Sequence, residues 1–149
     1  MKKLIFALFC LLLAGCMAQP VDREVITSGR APKAIGLYSQ AIRVGNTIYL
    51  SGQIAIDPET GEMMAGDIAA QTHQVLKNVQ AVLAAADFSL SDVVQSQVFL
   101  SDLNHYGAMN KVYGSYFQDA PPARAAVQVA RLPLDALVEI MVTAVKANH

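Results

Sequence analysis

The chain has no tryptophan, and only two of its 149 residues are cysteine. Cys10 lies inside an apolar leader and Cys16 directly after it. No thiol remains further along for a disulfide, a zinc site or a nucleophile. Charge is scarce as well: 15% of residues are Asp, Glu, Lys or Arg, and the net charge is −1. That balance offers no global attraction to a phosphate backbone, so no nucleic acid is expected as a partner. The one long apolar run, residues 5–13, is shorter than the about 20 residues that a membrane-crossing helix needs. No phosphate-binding loop, dinucleotide fingerprint or nucleophile motif is present. His73, His105 and His149 have no metal-ligand spacing and read as surface or incidental positions. Neither a metal nor a cofactor is expected.

What is present begins with the leader. Lys2 and Lys3 precede the apolar run, and small residues follow it, the pattern of a secretory signal. Leu13-Ala14-Gly15-Cys16 has the form of a bacterial lipobox, which predicts cleavage before Cys16 and lipid on its sulfur. Cleavage after Ala18, giving a soluble periplasmic protein, is the alternative. The chain then divides into a signal peptide (residues 1–15), a lipidated cysteine with a tether (16–23) and a domain (24–149). The protein is expected on the periplasmic face of a membrane, anchored by that lipid. Met17 is not the aspartate that retains such proteins at an inner membrane, which favours the outer one. Losing Lys2 and Lys3 and no acid moves the net charge from −1 to −3.

The domain reads as alternating strands and helices. Strands are predicted over residues 24–27, 41–44 and 47–50, the last two joined at Gly45-Asn46, a tight-turn pair. Asp57-Pro58-Glu59-Thr60-Gly61 is turn chemistry. Asp67 caps a helix running to about residue 86, with Val75, Leu76, Val79, Val82 and Leu83 as its apolar stripe. A strand over 93–100 follows. A second helix starts at Ser101-Asp102, with Tyr106, Met109, Val112, Tyr113, Tyr116 and Phe117 as a wide buried face, and Pro121-Pro122 ends it. Two last strands are predicted over 123–129 and 137–145. The last is apolar on both faces, yet two helices cover only one face of such a sheet. A second copy of the chain is the expected cover.

Two charges stand in apolar surroundings. Arg124 lies in Pro122-Ala123-Arg124-Ala125-Ala126, and Glu139 in Leu137-Val138-Glu139-Ile140-Met141. A guanidinium fork suits a carboxylate. A carboxyl pulled out of water has its pKa raised and can shuttle protons near neutral pH. The alternative is an ion pair between the two that only stabilises the fold. Ser51-Gly52 permits a close backbone approach beside a hydroxyl, and Tyr38 serves as a pocket wall or as core. Asn110 interrupts the second helix as a solvent-facing polar residue.

Five segments together carry a family resemblance. They are Ile35-Gly36-Leu37-Tyr38-Ser39-Gln40, Ser51-Gly52-Gln53-Ile54, Pro122-Ala123-Arg124-Ala125-Ala126, Val129-Ala130-Arg131-Leu132-Pro133 and Val138-Glu139-Ile140. In this order, over residues 26–146, the chain resembles the Rid/YjgF family of reactive-intermediate deaminases. The resemblance implies a chorismate-mutase-like α+β fold: a six-stranded mixed sheet with two helices on one face, in the order β-β-β-α-β-α-β-β. It also implies a homotrimer with a cleft at each subunit interface. The implied reaction is cofactor-free hydrolysis of a 2-imino acid, or an enamine such as 2-aminoacrylate, to a 2-keto acid and ammonium. Arg124 would grip the carboxylate and Glu139 would manage the water, with Tyr38, Ser51, Gly52, Asn110 and Ala126 at pocket positions. Leu37 stands where the family usually has proline, and Ala126 where some members have cysteine. The leader departs from the cytosolic habit of the family. A small-carboxylate-binding module without turnover and a holdase-type chaperone of the envelope are the alternatives. The ribonuclease activity of some members is disfavoured by the acidic charge and the leader.

Overall fold

Three short strands open the domain: β1 (Arg23–Ile26), β2 (Ala41–Val44) and β3 (Thr47–Leu50). They are seen in a computed structural model that describes residues 22–147. The leader with Cys16, the start of the tether and His149 lie outside the described residues. β2 and β3 pair antiparallel, and Gly45 between them has φ 60, the left-handed conformation that a tight hairpin turn uses. The turn that follows is tied by Asp57, whose carbonyl accepts from Gly61 N at 2.8 Å and whose side chain accepts from Glu59 N at 2.7 Å.

Helix α1 (Ile68–Ala84) starts where its sequence predicts, since Asp67 Oδ1 accepts from Ala70 N at 2.9 Å. Its stripe of Val75, Leu76, Val79, Val82 and Leu83 is buried without remainder. Strand β4 (Val93–Leu100) leads through a 3-10 turn, Leu103–His105, into α2 (Tyr106–Tyr116). Strands β5 (Ala123–Gln128) and β6 (Val138–Val145) complete the order.

The strands form one mixed sheet in the order β1-β2-β3-β6-β4-β5. β4 and β5 are parallel, and the other neighbours are antiparallel. A parallel pair needs a crossover, and α2 supplies it. Both helices lie on one face, packed on each other, with α1 against β6 and β3. This is the chorismate-mutase-like α+β architecture that the resemblance implies.

The sheet is two-sided in chemistry as well as shape. Along β6, Val138, Ile140, Val142 and Ala144 are buried under the helices, while Glu139, Met141, Thr143 and Val145 stay part-exposed on the other side. Neighbours extend that open face. Tyr49 lies opposite Thr143, Gln97 opposite Met141, and Phe99 opposite both Glu139 and Val127. Tyr49 and Val127 are exposed, and no helix among the described residues covers this side; only its Phe99 end is packed, against Ile54, Ile56, Leu132 and Ala136.

One prediction for α2 needs correction. Met109, Val112, Tyr113 and Phe117 are buried, but Tyr106 is 41% exposed and Tyr116 part-exposed beside His73. The face is narrower because the first turn of α2 leans over β5, the edge strand, rather than over the sheet centre. His105 also differs from a plain surface residue. Its Nδ1 is buried, with no hydrogen bond among the described residues.

Candidate functional site: two half-sites on opposite faces of the sheet

The first half-site grows from the end of β3. After Leu50 the chain leaves the ladder at Ser51-Gly52 and rejoins it at Gln53, which exchanges backbone hydrogen bonds with Ile140 at 2.9 and 3.0 Å. That return lays Gly52 directly beside Glu139 on β6. A Cβ on residue 52 would overlap Glu139 Oε1 and come within 2.7 Å of its Cδ. Only glycine allows the carboxyl to lie flat on the main chain here. Ser51 is fixed by Ser51 N to Gln40 O at 3.0 Å, and its hydroxyl donates to Ser39 O at 2.7 Å.

The facing wall is the segment before β2. Buried Gln40 holds it: its Oε1 accepts from Ser28 N at 2.6 Å, and its Nε2 donates to Ser28 O and Pro32 O at 3.3 and 2.7 Å. Tyr38 sits at the mouth, with its hydroxyl accepting from Ile35 N at 3.2 Å. Leu37, in the usual place of proline, points wholly into solvent. The result is a pocket of about 280 Å³ whose walls include Ile35, Tyr38, Ser51, Gly52, Pro133 and Glu139. Its far wall, Ile54 and Ile56, is braced from α1, where buried Asn78 donates to both of their carbonyls at 3.0 and 2.9 Å. Glu139 makes no hydrogen bond or ion pair with any described residue. Burial pushes its pKa above the usual glutamate range.

The second half-site lies on the helix side. Arg124 of β5 stands opposite Ser96, and Ala126 opposite Val98, both buried residues of β4. Arg124 Nη2 donates to Asn110 Oδ1 at 2.7 Å and to Tyr106 OH at 3.0 Å. Its guanidinium lies 4.5 Å from the Tyr113 ring centre and 5.7 Å from that of Tyr106, the geometry of cation–π support. Asn110 and two tyrosines thus orient the fork, while Nη1 and Nε bond to no described residue. Each of those two nitrogens keeps an N–H, on different edges of the guanidinium, for a single charge-assisted hydrogen bond to an anion. Below it, burial raises the pKa of Tyr113. Its hydroxyl and that of Ser96 are both buried and close, yet not aligned as a hydrogen bond.

Side chains alternate across a strand, and the register decides which residues can meet. Glu139 shares its row with Phe99 and Val127, whereas Arg124 shares its row with Ser96 and Val142. The two charges therefore point to opposite faces, and the ion pair between them within one chain is excluded. The structure brings Tyr38, Ser51, Gly52 and Glu139 together, and separately Arg124, Asn110 and Ala126. Asn110 is exposed, and its Oδ1 accepts from Arg124. Sequence reasoning missed Tyr106 and Tyr113 as supports of Arg124, because aromatic residues at helical spacing read as core. It also missed Gln40, whose position inside the Tyr38-Ser39-Gln40 motif was the available signal. Among the described residues, no three His, Cys, Asp or Glu side chains converge as a metal site.

Comparison with known proteins places this arrangement. Residues 28–146 match the family described as Endoribonuclease L-PSP. A RutC family protein of Sulfurisphaera tokodaii is 56% identical over 119 residues, spanning 80% of this chain and 95% of the relative. The 2-iminobutanoate/2-iminopropanoate deaminase of Mus musculus is 46% identical over 126 residues, 85% of this chain and 93% of the relative. Among solved structures, E. coli TdcF with bound serine superposes with a TM-score of 0.80 at 42% identity, covering 83% of this chain and 99% of that one. With the fold, the motif order and these matches in agreement, the chain belongs to the Rid/YjgF family, whose members also carry the RutC and L-PSP names.

Proposed function

We propose that the protein hydrolyses 2-imino acids, or their enamine tautomers, to 2-keto acids and ammonium, in sites each completed by two copies of the chain. The observation that carries this reading is the pair of half-sites. Each offers one charged group without an ion-pair partner among the described residues, Arg124 or Glu139, on opposite faces of one sheet. A second copy packed on the open face would bring its Arg124 edge to the Glu139 pocket. The uncovered apolar residues of that face and the family resemblance support a homotrimer.

In such a site Arg124 holds the substrate carboxylate by its charge and by an N–H that no described residue uses, which orients the imine carbon. Water adds to that carbon, and the Glu139 carboxylate takes the proton that water releases. The protonated imine thereby becomes a neutral carbinolamine; the Glu139 proton then goes to its nitrogen, the C–N bond breaks as the adduct's hydroxyl gives its proton to Glu139 and becomes the carbonyl, and the released ammonia takes that proton as ammonium. Atoms and charge balance with water as sole co-reactant. The raised pKa of Glu139 suits a group that must accept and return a proton near neutral pH. Mouse and rat relatives named for this reaction support it. The test is to feed the protein an imine made in place by an amino-acid oxidase. Imine decay and ammonium release should quicken in proportion to protein; no change at micromolar protein would overturn the proposal.

A second reading has its own support. The charge and unused N–H groups of Arg124 and the serine bound to TdcF also fit a module that binds a small carboxylate without turnover. Keto-acid binding without hydrolysis would favour it.

We also propose export and lipid anchoring through Cys16, on the strength of Leu13-Ala14-Gly15-Cys16. Cys16→Ser should release the protein from the membrane fraction or leave an uncleaved precursor. Unchanged detergent partition in the variant would contradict the anchor.

A further inference from the structure

The rim of the Glu139 pocket contains a strained turn, Pro133–Asp135. Pro133 lines the pocket. Leu134 and Asp135 both adopt the left-handed conformation, with φ 53 and 55. Neither is glycine, so each is held in a region that side chains disfavour. Leu134 is 59% exposed, so burial of its side chain does not fix it there. The turn's own hydrogen bonds, Asp135 N to Leu132 O and Ala136 N to Pro133 O, are long at 3.2 Å each.

A stronger restraint comes from Arg131. Its Nε and Nη2 donate to Asp135 Oδ1 and Oδ2 at 2.7 and 3.0 Å, fork against fork. The side chains are 78% and 69% exposed, which makes the pair a poor source of global stability. Its geometry is the informative feature, because a bidentate contact fixes a direction as well as a distance. The feet of the turn, Leu132 and Ala136, are only 6% and 1% exposed, in a small cluster with Ile54 and Ile56 and against Phe99. Ile54 and Ile56 are pocket walls, and Phe99 lies opposite Glu139. The turn also feeds straight into β6.

We propose that Arg131 and Asp135 form a positioning clamp: by holding the turn left-handed, the fork sets the pocket rim and the floor beneath Glu139, and so the affinity for substrate. The proposal rests on the functional reading above. Arg131 is a positioning residue, since it acts through the turn.

The experiment compares wild type with Arg131→Ala, Arg131→Lys, and Arg131→Ala combined with Leu134→Asn. For each, KM and kcat for an oxidase-generated imine, calorimetric affinity for 2-oxobutanoate, and hydrogen exchange at the Ala136 amide are measured. Arg131→Ala should raise KM and the 2-oxobutanoate Kd by about three- to tenfold, the population shift expected when a strained turn is released. Exchange at Ala136 should quicken, and kcat should change by less than about twofold. Lysine keeps the charge and loses the fork, so it should behave like alanine. Asparagine tolerates the left-handed region, so adding Leu134→Asn should restore most of the affinity. Unchanged KM and Kd in Arg131→Ala, or full restoration by lysine, would overturn the clamp. A wild type that hydrolyses no imine overturns the functional reading instead; the clamp is then decided by 2-oxobutanoate affinity and Ala136 exchange.

Discussion

Glu139→Gln is expected to lower turnover by about 10²–10⁴-fold, the loss typical of removing a general acid–base group, with 2-keto-acid affinity nearly kept. Glutamine preserves the shape beside Gly52 and can still donate a hydrogen bond, but it cannot carry a proton away from water. Neither Ser51 nor Gln40 can replace it, because the Ser51 hydroxyl already donates to Ser39 O and the amide of Gln40 is committed to the wall. The pH dependence adds an independent sign. Burial raises the pKa of Glu139, so wild-type turnover should rise with pH through a midpoint above the ordinary glutamate range, as the carboxylate forms. The variant should lack that limb. Full turnover in Glu139→Gln would remove the proton role.

The second large effect is expected at Arg124. Arg124→Lys keeps the charge and loses the planar fork. A lysine ammonium cannot serve Asn110 and Tyr106 on one side and a substrate carboxylate on the other with the same geometry. Substrate affinity should fall by about tenfold to 150-fold, the 1.5–3 kcal/mol range of a hydrogen bond to a charged group. Folding should survive, because Arg124 lies on the edge strand, and its partners Asn110 and Tyr106 reach water. Calorimetry with 2-oxobutanoate and a melting curve separate the two effects. A large loss of melting temperature with affinity unchanged would make Arg124 a structural residue.

Much of the fold was legible because local chemistry and tertiary demand agree. The Gly45-Asn46 turn sets the bounds of β2 and β3, and both match their predicted ranges. The Asp67 cap and the stripe from Val75 to Leu83 define α1 without help from the rest of the chain. Agreement fails where an element meets the sheet edge. Tyr106 has the helical spacing of a core residue, but the sheet ends beneath it, and it serves Arg124 instead. The candidate residues were legible one by one, as charges and small residues out of place. Their arrangement was not. Whether Arg124 and Glu139 share a face depends on the register of β5 on β4 and of β4 on β6, pairings between distant segments that no local pattern records. The Arg131 to Asp135 spacing looks like an ordinary surface pair until the left-handed conformations of Leu134 and of Asp135 itself are seen.

The opposite faces of Arg124 and Glu139 are the core of the functional proposal, and one measurement addresses them directly. Arg124→Ala and Glu139→Gln are prepared separately and also co-expressed in equal amounts as mixed oligomers. Each variant alone should be nearly inactive in imine hydrolysis. If every site draws Arg124 from one copy and Glu139 from another, the mixture should recover about a quarter of wild-type activity, since that share of interfaces pairs two intact halves. A co-expressed, verified mixture no more active than either parent would show that both residues must come from the same chain, and would contradict the two-copy site.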